Sequence, residues 1–428
     1  MVVGTIIGAS IFVQPSAVTG AVGTVGGVFL AWGLAGVLTL AGALITAELA
    51  SAYPETGGVY AFLREAFGPG LGFLWVWAMF WTMHTGIIAA IAMVFARYVG
   101  YFAPLGDVGL RAVAVAAIVA ISAVNVLGVG VGSGLQAAVT IAKVAAIVVL
   151  VAGGFWLGAR LPEHFVGGAT AEAGGAAAPV LLALAGAVAA GLFAFGGWHM
   201  VSYTAEETHA PERTLPRALA IGTIVVTVAY LALNAVYLYV LPLDRVAQSD
   251  RVAAEAADVL LGRGGGGAMA MLVALSTFGA LSGIILVGPR VYYSLARDGL
   301  LFRWVGAVHP AYRTPHRALA LQAAWAAVLV ATGTYRALFT RVIYTEWLFF
   351  GAMAVGLILL RRRAGYRPAY RVPGGSLVPL GFAVCAGLVA LSQIVADPRD
   401  SAVGLLLVLV GWPVYALWAR QRKDTLPP

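Results

Sequence analysis

The 428-residue chain is 61% hydrophobic and 10% charged, and its formal net charge is +8. That much apolar surface excludes a soluble globular domain and indicates an integral membrane protein. The basic residues lie between apolar runs, so the positive charge follows from membrane topology and argues against nucleic-acid binding.

Apolar runs of about 18 residues or more recur along the chain, each long enough to cross a hydrocarbon core of about 30 Å as a helix. About twelve spans are expected in an all-α polytopic fold, at 1–20, 27–52, 70–101, 108–127, 133–158, 180–204, 217–241, 268–295, 317–334, 338–360, 376–396 and 401–419. Residues near 160–178 and 242–266 read as the longest loops on one side. Met1 begins almost inside the first run, and no basic region or small-residue cleavage site precedes it. The single cysteine, Cys385, lies in an apolar run, so neither a disulfide framework nor a metal cluster is expected. Placing the N-terminus in the cytoplasm puts Arg213, Arg217, Arg297, Arg303, the Arg361–Arg363 cluster and the basic tail on that side, as positively charged loops require. Both termini are then cytoplasmic.

The first span carries GTIIGASIFV, with glycine, serine and threonine where a stable helix would place leucine, and Pro15 follows. An unpaired backbone group costs several kcal/mol in hydrocarbon, so an interrupted helix must face protein, water or a ligand. Gly4 and Gly8 also fit a small-residue packing face that needs no interruption. Span six repeats the feature as FAFGGW, Phe193 to Trp198. Equivalent points of spans one and six are an odd number of crossings apart, so the two segments run in opposite directions. Glycine-interrupted segments in oppositely oriented halves point to an inverted-repeat transporter with its substrate near the midplane. The N–H groups around Gly8, Ala9 and Ser10 suit a carboxylate, and the carbonyls of Ile6, Phe193, Ala194 and Gly196 suit an ammonium. An α-amino acid carries both charges.

The stretches GTIIGASIF, AELASAYPETGGVYAF, FAFGGW, AEETHAPERTLPRA and YYSLARDGLLFRWVGAVHPAYRTP resemble the signatures of the amino acid-polyamine-organocation superfamily, in order, to about residue 320. The GGW after FAF resembles its L-type amino acid transporter branch and the bacterial relatives of that branch. The resemblance implies a leucine-transporter-like five-plus-five inverted repeat. Residues 1–158 form the first repeat, 180–360 the second, and 376–428 two further helices with a short basic tail. It implies backbone binding of the substrate carboxylate at Gly8, Ala9 and Ser10 and of the amine at Ile6, Phe193, Ala194 and Gly196. Phe193 takes the place of an aromatic gate, with Trp198 and His199 beside the pocket. Two departures stand out: many relatives read GSG where this chain has Gly8-Ala9-Ser10, and only about seven residues, roughly 10 Å of helix, precede the interruption. A first half-helix truncated by a late start codon or by fragmentation is therefore expected.

Only two lysines occur, and Lys143 sits about ten residues, or about 15 Å, inside span five, too deep for easy snorkelling. It must be paired, either as a structural cation held by Ser276, Thr277 or Ser282 of span eight, or, as the resemblance implies, in place of a bound sodium ion between the first broken helix and the eighth. Both readings make transport independent of sodium, with protons as a possible coupled ion. His84 and Glu346 also lie deep, either as groups that modulate protonation or substrate choice or as packed, hydrogen-bonded residues, and the packed role is favoured for each. The glutamates of AEETHAPERTLPRA are candidate partners of the arginines after span eight.

Enzyme chemistry lacks its parts: the six histidines are scattered, and no nucleophile with a base or phosphate-binding glycine loop is recognised. The expected protein is a secondary carrier without a cofactor in a bacterial-type inner membrane, an obligatory exchanger or a proton-coupled symporter or facilitator, with a channel on this fold the disfavoured alternative. Neutral L-amino acids are favoured over cationic amino acids or amines, because neither interrupted segment contains a carboxylate. Relatives with a heavy-chain partner use an extracellular cysteine, and none is present.

Overall fold

A computed structural model describes residues 2–8, 10–55, 57–127, 132–157, 177–333 and 335–425. No strand occurs among them. The elements in chain order are α1 (Val2–Ile6), α2 (Gln14–Val22), α3 (Val25–Ala52), α4 (Val59–Phe67), α5 (Pro69–Val99), α6 (Asp107–Leu127), α7 (Gly132–Leu157) and α8 (Ala177–Ala194). They continue as α9 (Pro211–Val240), α10 (Leu243–Gln248), α11 (Val252–Leu261), α12 (Arg263–Arg297), α13 (His316–Thr332), α14 (Tyr335–Leu360), α15 (Leu377–Ala396), α16 (Pro398–Leu409) and α17 (Gly411–Thr425).

Helix lies at all twelve expected stretches, and among the described residues nine helices are long and apolar enough to cross a membrane. The protein is a multi-pass membrane protein. The stretch near 242–266, expected as a loop, instead forms α10 and α11. Their apolar faces, with Val246, Val252, Ala253 and Ala257, are buried, and burial outweighs the polar composition of the segment.

Local chemistry sets the helix ends. Thr24 caps α3 by accepting a hydrogen bond from the Gly27 N–H at 3.1 Å. Within α5, Met79–Met83 forms a π turn, and the Thr85 hydroxyl donates back to the Phe80 carbonyl at 2.6 Å. In α12, Pro289 has no N–H for the Ile285 carbonyl, so the helix needs donors from outside. Gln322 of α13 donates to Ile285 O at 3.0 Å, and the His84 imidazole Nε2 of α5 lies 2.9 Å from Ile284 O. His84 is thus the packed, hydrogen-bonded group its depth required.

At the end of α3, the fully buried Glu48 accepts from Arg361 Nε at 2.8 Å, Val372 N at 2.6 Å and the Tyr366 hydroxyl at 3.3 Å, and pairs also with the second Arg361 nitrogen. The hydrogen bonds that the Arg361 guanidinium donates to Glu48 hold it above its ordinary pKa, so this cation stays charged. A second cluster ties α4 to the end of α12. Arg64 reaches Glu55 at 2.6 Å and Asp298 at 3.5 Å, and the Tyr60 hydroxyl donates to Asp298.

Candidate functional site

Both glycine-interrupted stretches are interrupted helices. α1 ends at Ile6, where the Gly8 N–H closes a tight turn onto the Ile6 carbonyl at 2.7 Å, and a short 3-10 turn, Ser10–Phe12, leads into α2. α8 ends at Ala194, and Gly197 takes φ +97°, a left-handed conformation that glycine adopts without strain, before a 3-10 segment starts at Trp198. The two elements are crossed: α2, after the first interruption, packs on α8, before the second, while α1 packs on the 3-10 segment after the second.

Between the interruptions lies a cavity of about 140 Å³, a size that holds one small molecule. Gly4, Ile6, Gly8 and Ser10 form one part of its wall. Phe193, Ala194, Gly196 and Gly197 form another. Ile87 and Ile91 of α5 and Ile284 and Val287 of α12 make much of the remainder apolar, and among the described residues only Arg290 and Glu346 bring ionisable groups. Ala9 lies outside the described residues. The side chains of Trp198 and His199 do not reach this wall. The 3-10 turn directs them into an aromatic layer, where both rings pack 4.9 Å from Phe350 and His199 also meets Trp75.

Lys143 is 2% exposed, and its ammonium donates to the carbonyls of Gly4 at 3.3 Å and Ile7 at 2.9 Å. The expected bonds to span eight are not made. Thr277 donates to Val273 O of its own helix at 2.6 Å, Ser276 Oγ is buried without a partner, and Asn125 takes the Ser282 carbonyl at 3.2 Å. The end of a helix offers carbonyls with no intrahelical donor, and those of α1 are the stronger attraction for a cation.

One site residue was not expected from the sequence, and a second departs from the role expected of it. The Tyr230 hydroxyl of α9 lies 3.1 Å from Ile6 O and 3.0 Å from Ala194 O, so one proton is shared between carbonyls of the two interruptions. Its ring is wedged between Trp32 and Phe195. Tyr230→Phe keeps that packing but removes the donor, and initial-rate uptake is expected to fall about tenfold with an unchanged size-exclusion profile. Uptake within twofold of the parent would remove Tyr230 from the site. Glu346 is the second feature. Rather than the hydrogen-bonded group expected, it is 6% exposed, lies on the cavity wall, and makes no hydrogen bond or ion pair among the described residues. No periodicity marks either residue, because α9 and α14 are apolar on several faces.

Comparison with known proteins agrees with this geometry. The profile of a family described as amino acid permease matches residues 1–416. The serine/threonine exchanger SteT of Bacillus subtilis is 30% identical over 97% of this chain and 94% of its own length. The human cystine/glutamate transporter is 30% identical over 98% and 83%, and the mouse Asc-type amino acid transporter 1 is 31% identical over 97% and 79%. These relatives are transporters and exchangers, not enzymes.

Proposed function

Because the chain belongs to the amino acid permease family, we propose that it moves neutral L-amino acids across the cytoplasmic membrane by alternating access, independently of sodium. The observation that carries the reading is the crossed pair of interrupted helices whose backbones share one small cavity. In this reading the chain crosses the membrane twelve times with both termini in the cytoplasm. Residues 1–158 and 180–360 are oppositely oriented repeats, and 376–428 add two helices. The substrate carboxylate sits at the Gly8-Ala9-Ser10 turn. The ammonium meets the carbonyls of Ile6, Phe193, Ala194 and Gly196, sharing Ile6 and Ala194 with the Tyr230 hydroxyl. Phe193 closes over the ligand. Lys143 occupies carbonyls that would otherwise suit a metal cation, which supports independence from sodium. No cofactor and no heavy-chain partner enter the scheme.

The name of the SteT relative favours exchange over proton symport. Proteoliposomes loaded with or without internal amino acid, with or without a pH gradient or sodium, separate the readings. Uptake of labelled neutral amino acids that requires internal amino acid and ignores both gradients is expected. Accumulation driven by the pH gradient would make the protein a symporter, and no uptake of any amino acid would overturn the reading.

A further inference from the structure

The turn between α14 and α15 reads RRRAGYRPAYR from Arg361 to Arg371, five arginines with no acid among them. Two of the five are used within the fold. Arg361 is held by Glu48 and donates to Gly375 O at 2.7 Å, which closes the turn on itself. Arg363 donates to Glu65 O at 2.8 Å and Ala66 O at 3.2 Å, carbonyls of the last turn of α4 that have no donor within their own helix. The other three, Arg362, Arg367 and Arg371, are exposed, and their side chains make no hydrogen bond or ion pair among the described residues. The acids at this end of α3 and α4 face other cations, Glu48 on Arg361 and Glu55 and Glu65 on Arg64.

The turn is docked rather than free. Glu48 takes the Tyr366 hydroxyl and Val372 N, and Tyr370 N donates to Ser51 Oγ at 3.1 Å, so the backbone carrying the three arginines is fixed on the end of α3. A ligand binding there has little loop entropy to overcome. The helices on either side set its level in the bilayer. α14 ends at Leu360 and α15 begins at Leu377, and the exposed side chains of Leu377, Leu380, Val384 and Leu388 form one stripe at helical spacing that faces hydrocarbon. The guanidiniums stand where acyl chains give way to headgroups, and a guanidinium takes a phosphate in a two-pronged, charge-assisted hydrogen bond. Fixing a loop to one side of the membrane needs only positive charge. It does not need arginines set on a rigid turn above an apolar stripe.

We propose that this turn binds an anionic phospholipid of the adjoining leaflet, with the lipid phosphate on Arg362, Arg367 and Arg371 and the acyl chains along the exposed stripe of α15. The bound lipid then supports the two helix ends that the turn grips, α3 through Arg361 and α4 through Arg363. α4 is tied in turn to Asp298 by Arg64 and Tyr60, at the end of the helix whose Ile284 and Val287 wall the cavity. The lipid is thus a stabilising ligand of the cavity-bearing fold, whatever that cavity carries.

The test titrates the purified protein, in a neutral detergent, with dioleoylphosphatidylglycerol or dioleoylphosphatidylcholine and reads the apparent melting temperature from size-exclusion after heating. Because the readout is stability, it does not depend on the transport reading. The anionic lipid is expected to raise the melting temperature by about 3 °C or more and the zwitterionic one by at most about 1 °C, with the difference shrinking as salt is added. The combined Arg362→Gln, Arg367→Gln and Arg371→Gln protein is expected to lose the shift. Arg213→Gln with Arg217→Gln, which removes two exposed arginines of α9 instead, is expected to keep it. If the glutamine protein is itself less stable without lipid, lysine at the same three positions serves, and it is expected to keep less than about half the shift because the forked contact is lost. A shift undiminished in the glutamine or lysine protein overturns the assignment, and so does an equal loss on changing Arg213 and Arg217, which would reduce the effect to net charge. An equal shift with phosphatidylcholine, or with inorganic phosphate and no lipid, also overturns it, since apolar contact or a free anion would then suffice.

Discussion

Lys143→Met is expected to abolish transport, lowering initial uptake more than about a hundredfold, because the ammonium is the donor to two carbonyls at the end of α1. Hydrogen bonds to a charged group contribute roughly 1.5–3 kcal/mol each, and at this depth no water replaces them. α1 is five residues long and has no basic residue in its own last turn, so a cation from α7 completes a helix end that the local sequence leaves open. Methionine keeps much of the volume, which separates loss of the donors from creation of a cavity. Lys143→Arg is expected to be nearly as damaging, since a planar fork does not fit a compact pair of carbonyls shaped for an ammonium. Uptake by proteoliposomes, with dispersity in detergent as the folding control, checks both. A Lys143→Met protein with more than half the parental rate would show that volume alone matters at this position.

The largest stability effect is expected at Glu48. Removing one partner of a buried pair leaves the other charge uncompensated, at about 3–5 kcal/mol, and Arg361 is only 13% exposed in its side chain. Glu48→Ala also strips the acceptor from Val372 N and Tyr366, releasing the segment from Arg361 to Val372 from the end of α3. An apparent melting temperature in detergent lower by roughly 5–10 °C is expected, read from size-exclusion after heating. The double replacement Glu48→Leu with Arg361→Met is expected to recover much of the loss, because an apolar pair carries no desolvation penalty. If the double variant is less stable than Glu48→Ala, the ion pair stabilises the fold beyond cancelling its own burial.

The positions of the helices follow from composition alone, since a run of apolar residues long enough to span hydrocarbon has no other way to satisfy its backbone. The two interruptions were legible for the same reason: Gly8, Gly196 and Gly197 mark where the backbone turns aside, and a solitary deep lysine announces a partner. The sequence left two partners open, span eight and the first broken helix, and the structure makes the second contact. Thr277 and Ser276 were chosen by residue type, whereas the carbonyls of Gly4 and Ile7, which any residue carries, are the groups that bind.

Which neighbour each helix face meets was decided only in three dimensions. α3, α9 and α14 are apolar around much of their circumference, so periodicity does not orient them, and contacts in a membrane depend on shape rather than on hydrophobicity. Tyr230 therefore gives no sign in the chain that it joins carbonyls 224 and 36 residues away. Glu48 and Glu346 show the same limit most plainly. Each is an acid in an apolar run, Glu48 toward the end of span two and Glu346 deeper in span ten, and neither run names the acid's partner. Packing places Arg361 against one and the cavity against the other, so the first is tied into the fold while the second lies on the wall between the interruptions.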